Sequence, residues 1–160
     1  MTKSAQDMGR TQELQTEAER RAVIRVVRLL GYGGLVPFVV LAGAVMLGLR
    51  TPFAPAQSYL IGYGAVILSF VGALHWGDQL SRAVPSALRF IWSVVPALGA
   101  WVALMMPDII GAIILIAGLA SCLIFDLPVM RKGQWPSYMM VMRIVLTIIA
   151  CLCLSVIFLR

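Results

Sequence analysis

The 160-residue chain has few charged side chains and few metal-binding ones. Asp, Glu, Lys and Arg together make up 12% of it, and it has a single histidine. Hydrophobic residues make up 61% and the mean hydropathy is +0.92, whereas a soluble domain usually has about 45–50% apolar residues. This composition excludes an ordinary soluble domain and predicts an integral membrane protein.

Most enzyme and cofactor signatures are also absent. One histidine cannot supply both axial ligands of a bis-histidine haem or the paired histidines of a zinc protease helix. Cys122, Cys151 and Cys153 lie in apolar runs without the paired spacing of a zinc or redox site. There is no nucleophile elbow, Walker loop or dinucleotide fingerprint. We therefore expect no metal, no cofactor and no catalysis, although a lipid or quinone enzyme with His75 as base stays open.

The basic residues do not form a nucleic-acid site. The net charge is +6, but the thirteen Lys and Arg residues are distributed over several predicted loops rather than gathered in one dense patch. The expected partners are membrane lipids and other membrane-protein subunits, and not nucleic acid.

Five apolar runs are long enough to cross a bilayer, which needs about 20 residues per helix. They predict an all-α five-helix transmembrane bundle with spans at about 29–49, 54–77, 90–106, 109–125 and 138–159. Only Pro107 and Asp108 separate the third and fourth spans. Because proline breaks a helix, we predict a tight transmembrane hairpin at this point.

Proline supports this division of the chain. Pro37 and Pro96 lie inside the first and third spans, where we expect kinks. The other six of the eight prolines fall in predicted loops: Pro52, Pro55, Pro85, Pro107, Pro128 and Pro136.

A basic segment, residues 1–28, precedes the first span. Its second half is predicted to be an amphipathic helix, because valines recur on one face and Arg21, Arg25 and Arg28 on another. Two interpretations stay open for this helix: it lies at the lipid interface with its arginines on phosphate groups, or it docks onto a partner protein.

The distribution of basic residues predicts the orientation. Ten Lys and Arg residues fall in the N-terminal segment and in the loops after the second and fourth spans, whereas Arg50 and Arg160 alone fall on the opposite side. Basic loops stay in the cytoplasm, so we expect the N-terminus inside and the C-terminus outside.

Polar residues recur near the cytoplasmic ends of four spans. His75, Asp78, Gln79 and Arg82 have helical spacing and share one face of the second span. Ser93 lies just inside the third span.

The same side holds charged residues in the last two spans. Asp126 ends the fourth span, and Arg143 lies about 12 Å along the fifth helix from Trp135. Ionisable groups at this depth tend to pair in the bundle interior. The candidate polar cluster is therefore His75, Asp78, Ser93, Asp126 and Arg143, as a structural network or as a proton or ligand site.

Each charged member also has a simpler interpretation, which stays open at this point. Arg143 extends toward lipid headgroups in this alternative, and Asp126 is exposed to water at a helix end. His75 then forms an interfacial pair with Trp76.

Small residues mark one face of the second span. Gly62, Ala65, Ser69 and Gly72 follow one another down this face and end at Trp76. Small side chains let helix backbones approach closely, either within the chain or between molecules. We expect a leucine to be tolerated at Gly48, near a helix end, but not at Gly72.

Four motifs carry a family resemblance: GYGGLVPF at 31–38, YGAVILSFVGALHWG at 63–77, SVVPALGAW at 93–101 and RIVLT at 143–147. Together they resemble the family called domain of unknown function 3429, over roughly residues 29 to 150. The resemblance implies a compact multi-span bundle of the inner bacterial or mitochondrial membrane and no particular activity. With the predicted orientation, the C-terminus would lie in the periplasm.

Two functions fit these observations. The first is a small accessory, structural or assembly protein of a larger inner-membrane complex, without catalysis of its own. The alternative is a small transporter or proton-linked carrier that uses His75, Asp126 and Arg143.

Overall fold

The computed structural model describes the backbone of residues 2–50, 54–131 and 136–159, and the side chains of 16–50, 54–128 and 136–159. Six α-helices and a terminal 3₁₀ helix (Val156–Leu159) account for most of these residues. The α-helices are α1 (Thr2–Gly33), α2 (Leu35–Met46), α3 (Ala56–Leu80), α4 (Ala87–Met105), α5 (Asp108–Arg131) and α6 (Ser137–Ser155). The predicted all-α fold is confirmed.

Five segments are long and apolar enough to cross a membrane: Thr16–Met46, Ala56–Leu80, Ala87–Met105, Asp108–Pro128 and Ser137–Leu159. The protein is thus a multi-pass membrane protein. α1 continues from the basic residues through the predicted position 29 without a break.

The chain divides into two compact units, Met1–Gly34 and Leu35–Arg160. The described side chains of the first unit are mostly exposed, including apolar ones such as Leu29 at 75%. The helix of this unit ends one turn before Pro37. Pro37 has no N–H to bond the carbonyl of Gly33, and α1 ends at Gly33.

In the second unit, α3 is the central helix. It contacts α2, α4, α5 and α6, and its Leu60 and Leu68 are completely buried. Leu115 of α5 and Leu154 of α6 are buried to the same degree, and all four belong to one hydrophobic core. The core therefore forms around α3, the helix whose sequence also carries the small-residue stripe and His75.

Two prolines lie inside the helices of the second unit. Pro96 lies inside α4, as predicted, and is buried. Pro128 was predicted to lie in a loop, and this prediction is wrong: α5 continues through it to Arg131. A proline near a helix end removes one N–H donor without ending the helix. Asp126 consequently lies within α5 and not at its end.

Three residues used in the loop and charge predictions, Pro52, Lys132 and Arg160, lie outside the described residues.

Close approach between helices involves only part of the small-residue stripe. A Cβ atom at Gly72 would lie 2.6 Å from the carbonyl oxygen of Ser93, so α3 and α4 touch backbone to backbone there. Ala65 is buried. Nothing lies within 4 Å of the corresponding position at Gly62, and Trp76 is 46% exposed with its ring edge against Phe90 at 5.0 Å.

Other glycines make contacts that the stripe did not indicate. A Cβ atom at Gly64 would lie 3.0 Å from a Leu115 methyl group, and one at Gly118 would lie 2.6 Å from a methyl group of Leu68. The expectation for Gly48 is wrong. Its φ of 65° is left-handed, so a leucine there would be strained.

Candidate functional site

A buried carboxylate joins three helices at one end of the second unit. Asp126 of α5 is 1% exposed, and its Oδ2 accepts a 2.9 Å hydrogen bond from Nε of Arg143 on α6. Its Oδ1 lies 3.4 Å from Nδ1 of His75 on α3. We call these three residues the polar cluster, and the end of the unit that holds them the polar end.

The position of each residue along its helix explains why they meet. His75 and Asp126 each lie five residues before the last residue of α3 and α5, and Arg143 lies six residues after the first residue of α6. At 1.5 Å per residue all three are about 7–9 Å from the nearest helix end. Because α6 runs opposite to α5, its beginning lies beside the end of α5.

The three side chains are buried from solvent within the bundle. The side chain of His75 is 8% exposed and that of Arg143 is 12% exposed. Arg143 therefore faces Asp126 inside the bundle, and His75 is buried whereas its neighbour Trp76 is exposed. Taking a carboxylate and a guanidinium out of water is costly, and mutual pairing offsets that cost only while both are present.

Asp78, the second predicted carboxylate, pairs elsewhere. Its two oxygens accept hydrogen bonds of 2.8 and 3.1 Å from Arg82, one turn further along the chain, and one also accepts from Nε2 of Gln79. The hydrogen bond from Arg82 to Asp78 raises the pKa of the Arg82 guanidinium above its ordinary value. This pair lies at the surface of the polar end and not in the polar cluster.

Ser93 is buried, but its hydroxyl forms a hydrogen bond within its own helix. The Oγ atom donates a 2.6 Å hydrogen bond to the carbonyl oxygen of Phe90, and the backbone carbonyl of Ser93 is the atom that faces Gly72. Ser93 therefore contacts α3 through its backbone, and its hydroxyl makes no bond to the polar cluster.

Gln79 contributes a link that the sequence did not reveal. It is 1% exposed, and its Oε1 accepts a 3.0 Å hydrogen bond from the backbone N–H of Ser86. This bond fastens the start of α4 to the end of α3. Helical spacing placed Gln79 on the face of His75, but no sequence signal pointed to a partner seven residues away in a loop.

An aromatic ring lies beside the polar cluster. Trp92 stacks on Phe125 with 4.7 Å between ring centroids, and the His75 ring meets Phe125 edge-on at 6.1 Å. The guanidinium carbon of Arg89 lies 5.6 Å from the Phe125 centroid. Sequence reasoning missed Phe125 and its neighbours Trp92 and Arg89, and the available signal was the i, i+3 spacing of Arg89 and Trp92 on α4.

Three buried nitrogen atoms of the polar cluster and of Trp92 make no hydrogen bond. They are Nε2 of His75, Nε1 of Trp92 and Nη2 of Arg143. Each belongs to a side chain that contacts Phe125 or Asp126, which are adjacent in sequence. Buried polar groups nearly always have a partner, so these three atoms are exceptions to the usual pattern.

Metal chemistry finds no support in the described part of the chain. No group of three or more His, Cys, Asp or Glu side chains there has the arrangement to hold an ion. The polar cluster has the chemistry to hold a proton between His75 and Asp126, and the unpaired nitrogens have the chemistry to bind hydrogen-bond acceptors.

The fold and this cluster define a class: a multi-pass α-helical membrane protein with a buried Arg–Asp–His cluster near one end of its bundle. Within that class, the family described as protein of unknown function (DUF3429) matches residues 23–159. The chain belongs to this family, as its motifs indicated.

Two relatives carry the name transmembrane protein 69. The one from Xenopus tropicalis is 35% identical over 127 residues, which cover 76% of this chain and 49% of the relative. The one from Mus musculus is 30% identical over 126 residues, which cover 73% and 49%. The chain thus spans about half the length of the curated relatives it matches. No solved structure matches it.

Proposed function

We propose that this protein is an accessory or assembly subunit of a larger complex in the bacterial inner membrane, without catalysis of its own. Membership in a transmembrane family and the five spans support a role within the membrane. We place the N-terminus in the cytoplasm and the C-terminus in the periplasm, on the strength of the basic loops.

One observation carries the proposal: the buried polar side chains are confined to the polar end. Among the described residues they are His75, Gln79, Ser93 and Asp126, with Arg143 nearly buried beside them. The remaining core is apolar. A carrier needs polar groups near the middle of the membrane and a path on both sides of them, so this distribution favours a structural role.

The polar cluster is suited to holding three helices in a fixed arrangement. Asp126 bonds Arg143 and lies beside His75, so α3, α5 and α6 are joined by charge at one depth. A buried pair of this kind disfavours alternative helix positions, because any other register leaves a charge unpaired. The result is a rigid bundle surface against which other subunits pack.

Native gel electrophoresis of gently solubilised membranes tests the proposal. We expect the tagged chain to migrate with a defined set of subunits, and deletion of its gene to lower the abundance of that complex until the wild-type gene is restored. Migration at the mass of the chain alone, with every membrane complex unchanged in the deletion strain, would contradict an accessory role.

A proton-linked carrier is the second candidate, and one observation favours it. His75 presents a titratable ring with Nδ1 3.4 Å from Asp126 and Nε2 unpaired, as a proton-exchanging residue would. Proteoliposomes should then show a proton flux that His75→Ala abolishes and that Trp76→Phe, at the exposed neighbouring position, preserves. A flux equal to that of protein-free vesicles would eliminate this candidate.

A further inference from the structure

We propose that the arginine face of α1 binds the phosphate groups of anionic lipids at the membrane surface. This face consists of Arg21, Arg25 and Arg28, which follow one another at helical spacing. A lipid surface is one of the two partners that the sequence left open for this helix, and binding to it does not depend on which complex the chain serves.

The arginines are exposed and gathered on one side of a continuous helix. α1 runs without interruption from Thr2 to Gly33. At about 100° per residue, the three arginines fall within about 60° of one another, and the exposed Val23 and Leu30 lie on the opposite side. The three guanidinium groups are therefore presented together to whatever lies outside the helix.

The charge on this face is only partly balanced within the helix. Glu17 forms an exposed 3.0 Å ion pair with Arg21, whereas Arg25 has no carboxylate partner among the described side chains. The residues one turn before and after Arg25 are Arg21 and Arg28, and like charges at this spacing destabilise an isolated helix. Positions 20–46 hold four arginines and no carboxylate. The arginine face is therefore complementary to an anionic partner.

The position of the face along α1 favours lipid as that partner. An uncharged run, 29–46, follows Arg28 directly, and its length is close to that of the hydrocarbon core, about 30 Å. By helix rise, Arg28, Arg25 and Arg21 lie about 2, 6 and 12 Å before this run. These are the largest distances from the core that α1 allows, because any tilt of the helix shortens them. The headgroup layer adds about 5–8 Å on each side of the core, so Arg25 and Arg28 lie at headgroup depth for every tilt.

Lipid binding by the purified full chain in a mild nonionic detergent tests the arginine face. Phosphatidylglycerol and phosphatidylcholine with the same acyl chains are titrated separately, and native mass spectrometry measures the lipid retained. Arg25→Gln removes one charge from the face, and Arg25→Lys keeps it. Arg20→Gln is the matched control, because Arg20 is also exposed but lies about 14 Å before the uncharged run and is turned about 140° from Arg25 around the helix.

We expect the wild type to retain phosphatidylglycerol in preference to phosphatidylcholine. Arg25→Gln should weaken phosphatidylglycerol binding about fivefold, the usual contribution of one arginine near an anionic membrane surface. Arg25→Lys and Arg20→Gln should each weaken it about twofold or less. Raising the salt concentration should weaken the wild-type binding, because exposed charges are screened.

Two results would overturn the proposal. One is a wild-type protein that retains phosphatidylglycerol no better than phosphatidylcholine. The other is equal phosphatidylglycerol binding by Arg25→Gln and Arg20→Gln; if Arg25→Gln then also loses subunits in a native gel, a partner protein occupies the arginine face instead. Near-identical unfolding temperatures of the variants without added lipid show that a loss of binding does not come from misfolding.

Discussion

Asp126 is the residue on which the polar end depends. It is completely buried, it accepts the hydrogen bond of Arg143, and it faces His75. Asp78, only three residues from His75 in sequence, is partly exposed and pairs within its own helix. Two aspartates near the same end of the bundle thus differ in role because one faces the helix interface and the other faces outward.

Replacing the two aspartates should therefore have unequal effects. Asp126→Asn keeps the shape but leaves the Arg143 guanidinium buried without a counter-charge, which should lower the free energy of unfolding by about 3 kcal/mol or more. Asp78→Asn alters a partly exposed pair and should cost about 1 kcal/mol or less. Chemical denaturation of both variants in detergent measures the difference. Equal losses would mean that burial of the polar cluster does not matter for stability.

At the scale of the helix, the contact between α3 and α4 depends on Gly72 and Pro96. The proline ring packs close to where a side chain at Gly72 would begin, because a Cβ atom there would lie 3.2 and 3.3 Å from Cβ and Cγ of Pro96. The two helices can approach only because one has no side chain there. Gly62, ten residues earlier on α3, makes no such contact.

Leucine at Gly72 and leucine at Gly62 should have unequal effects on stability. Gly72→Leu has to push α4 away from α3, and we expect a loss of about 3 kcal/mol or more in the free energy of unfolding. Gly62→Leu should lose little, because nothing lies within 4 Å of its added Cβ. Thermal unfolding in detergent compares them on the same helix. Indistinguishable melting temperatures would show that the helices do not touch at Gly72.

At the scale of the whole molecule, orientation in the membrane decides which side of the bilayer the polar end faces. Ten basic residues in the N-terminal segment and two loops favour the cytoplasm for that side. The polar end has the same two loops, so in the proposed orientation it faces the cytoplasmic side of the membrane.

Reporter fusions measure this orientation directly. A periplasm-active reporter inserted at Asp108 or joined after Arg160 should be active at both positions, because both sites fall on the side poor in basic residues. A reporter after Leu80 should be inactive and serves as the control. The reverse pattern would place the polar end in the periplasm and contradict the proposed orientation.

The sequence by itself determined the class of protein, the number of spans and the depth of the polar residues. Apolar run length and proline position are local properties, and the bilayer converts them directly into helices that cross it. The helix spacing of His75 and the positions of Asp126 and Arg143 likewise gave comparable depths from helix rise alone.

Only the tertiary structure decided which side chains face one another. Depth does not specify rotation about a helix axis, so the sequence could not show that Asp126 faces Arg143 while Asp78 pairs within its own helix, or that Gly62 meets no neighbouring helix. The contacts of Phe125 with Trp92 and Arg89 join helices distant in sequence, and no periodicity encodes them. They depend on how α3, α4 and α5 pack, because side chains from different helices meet only after each helix has taken its rotation in the bundle.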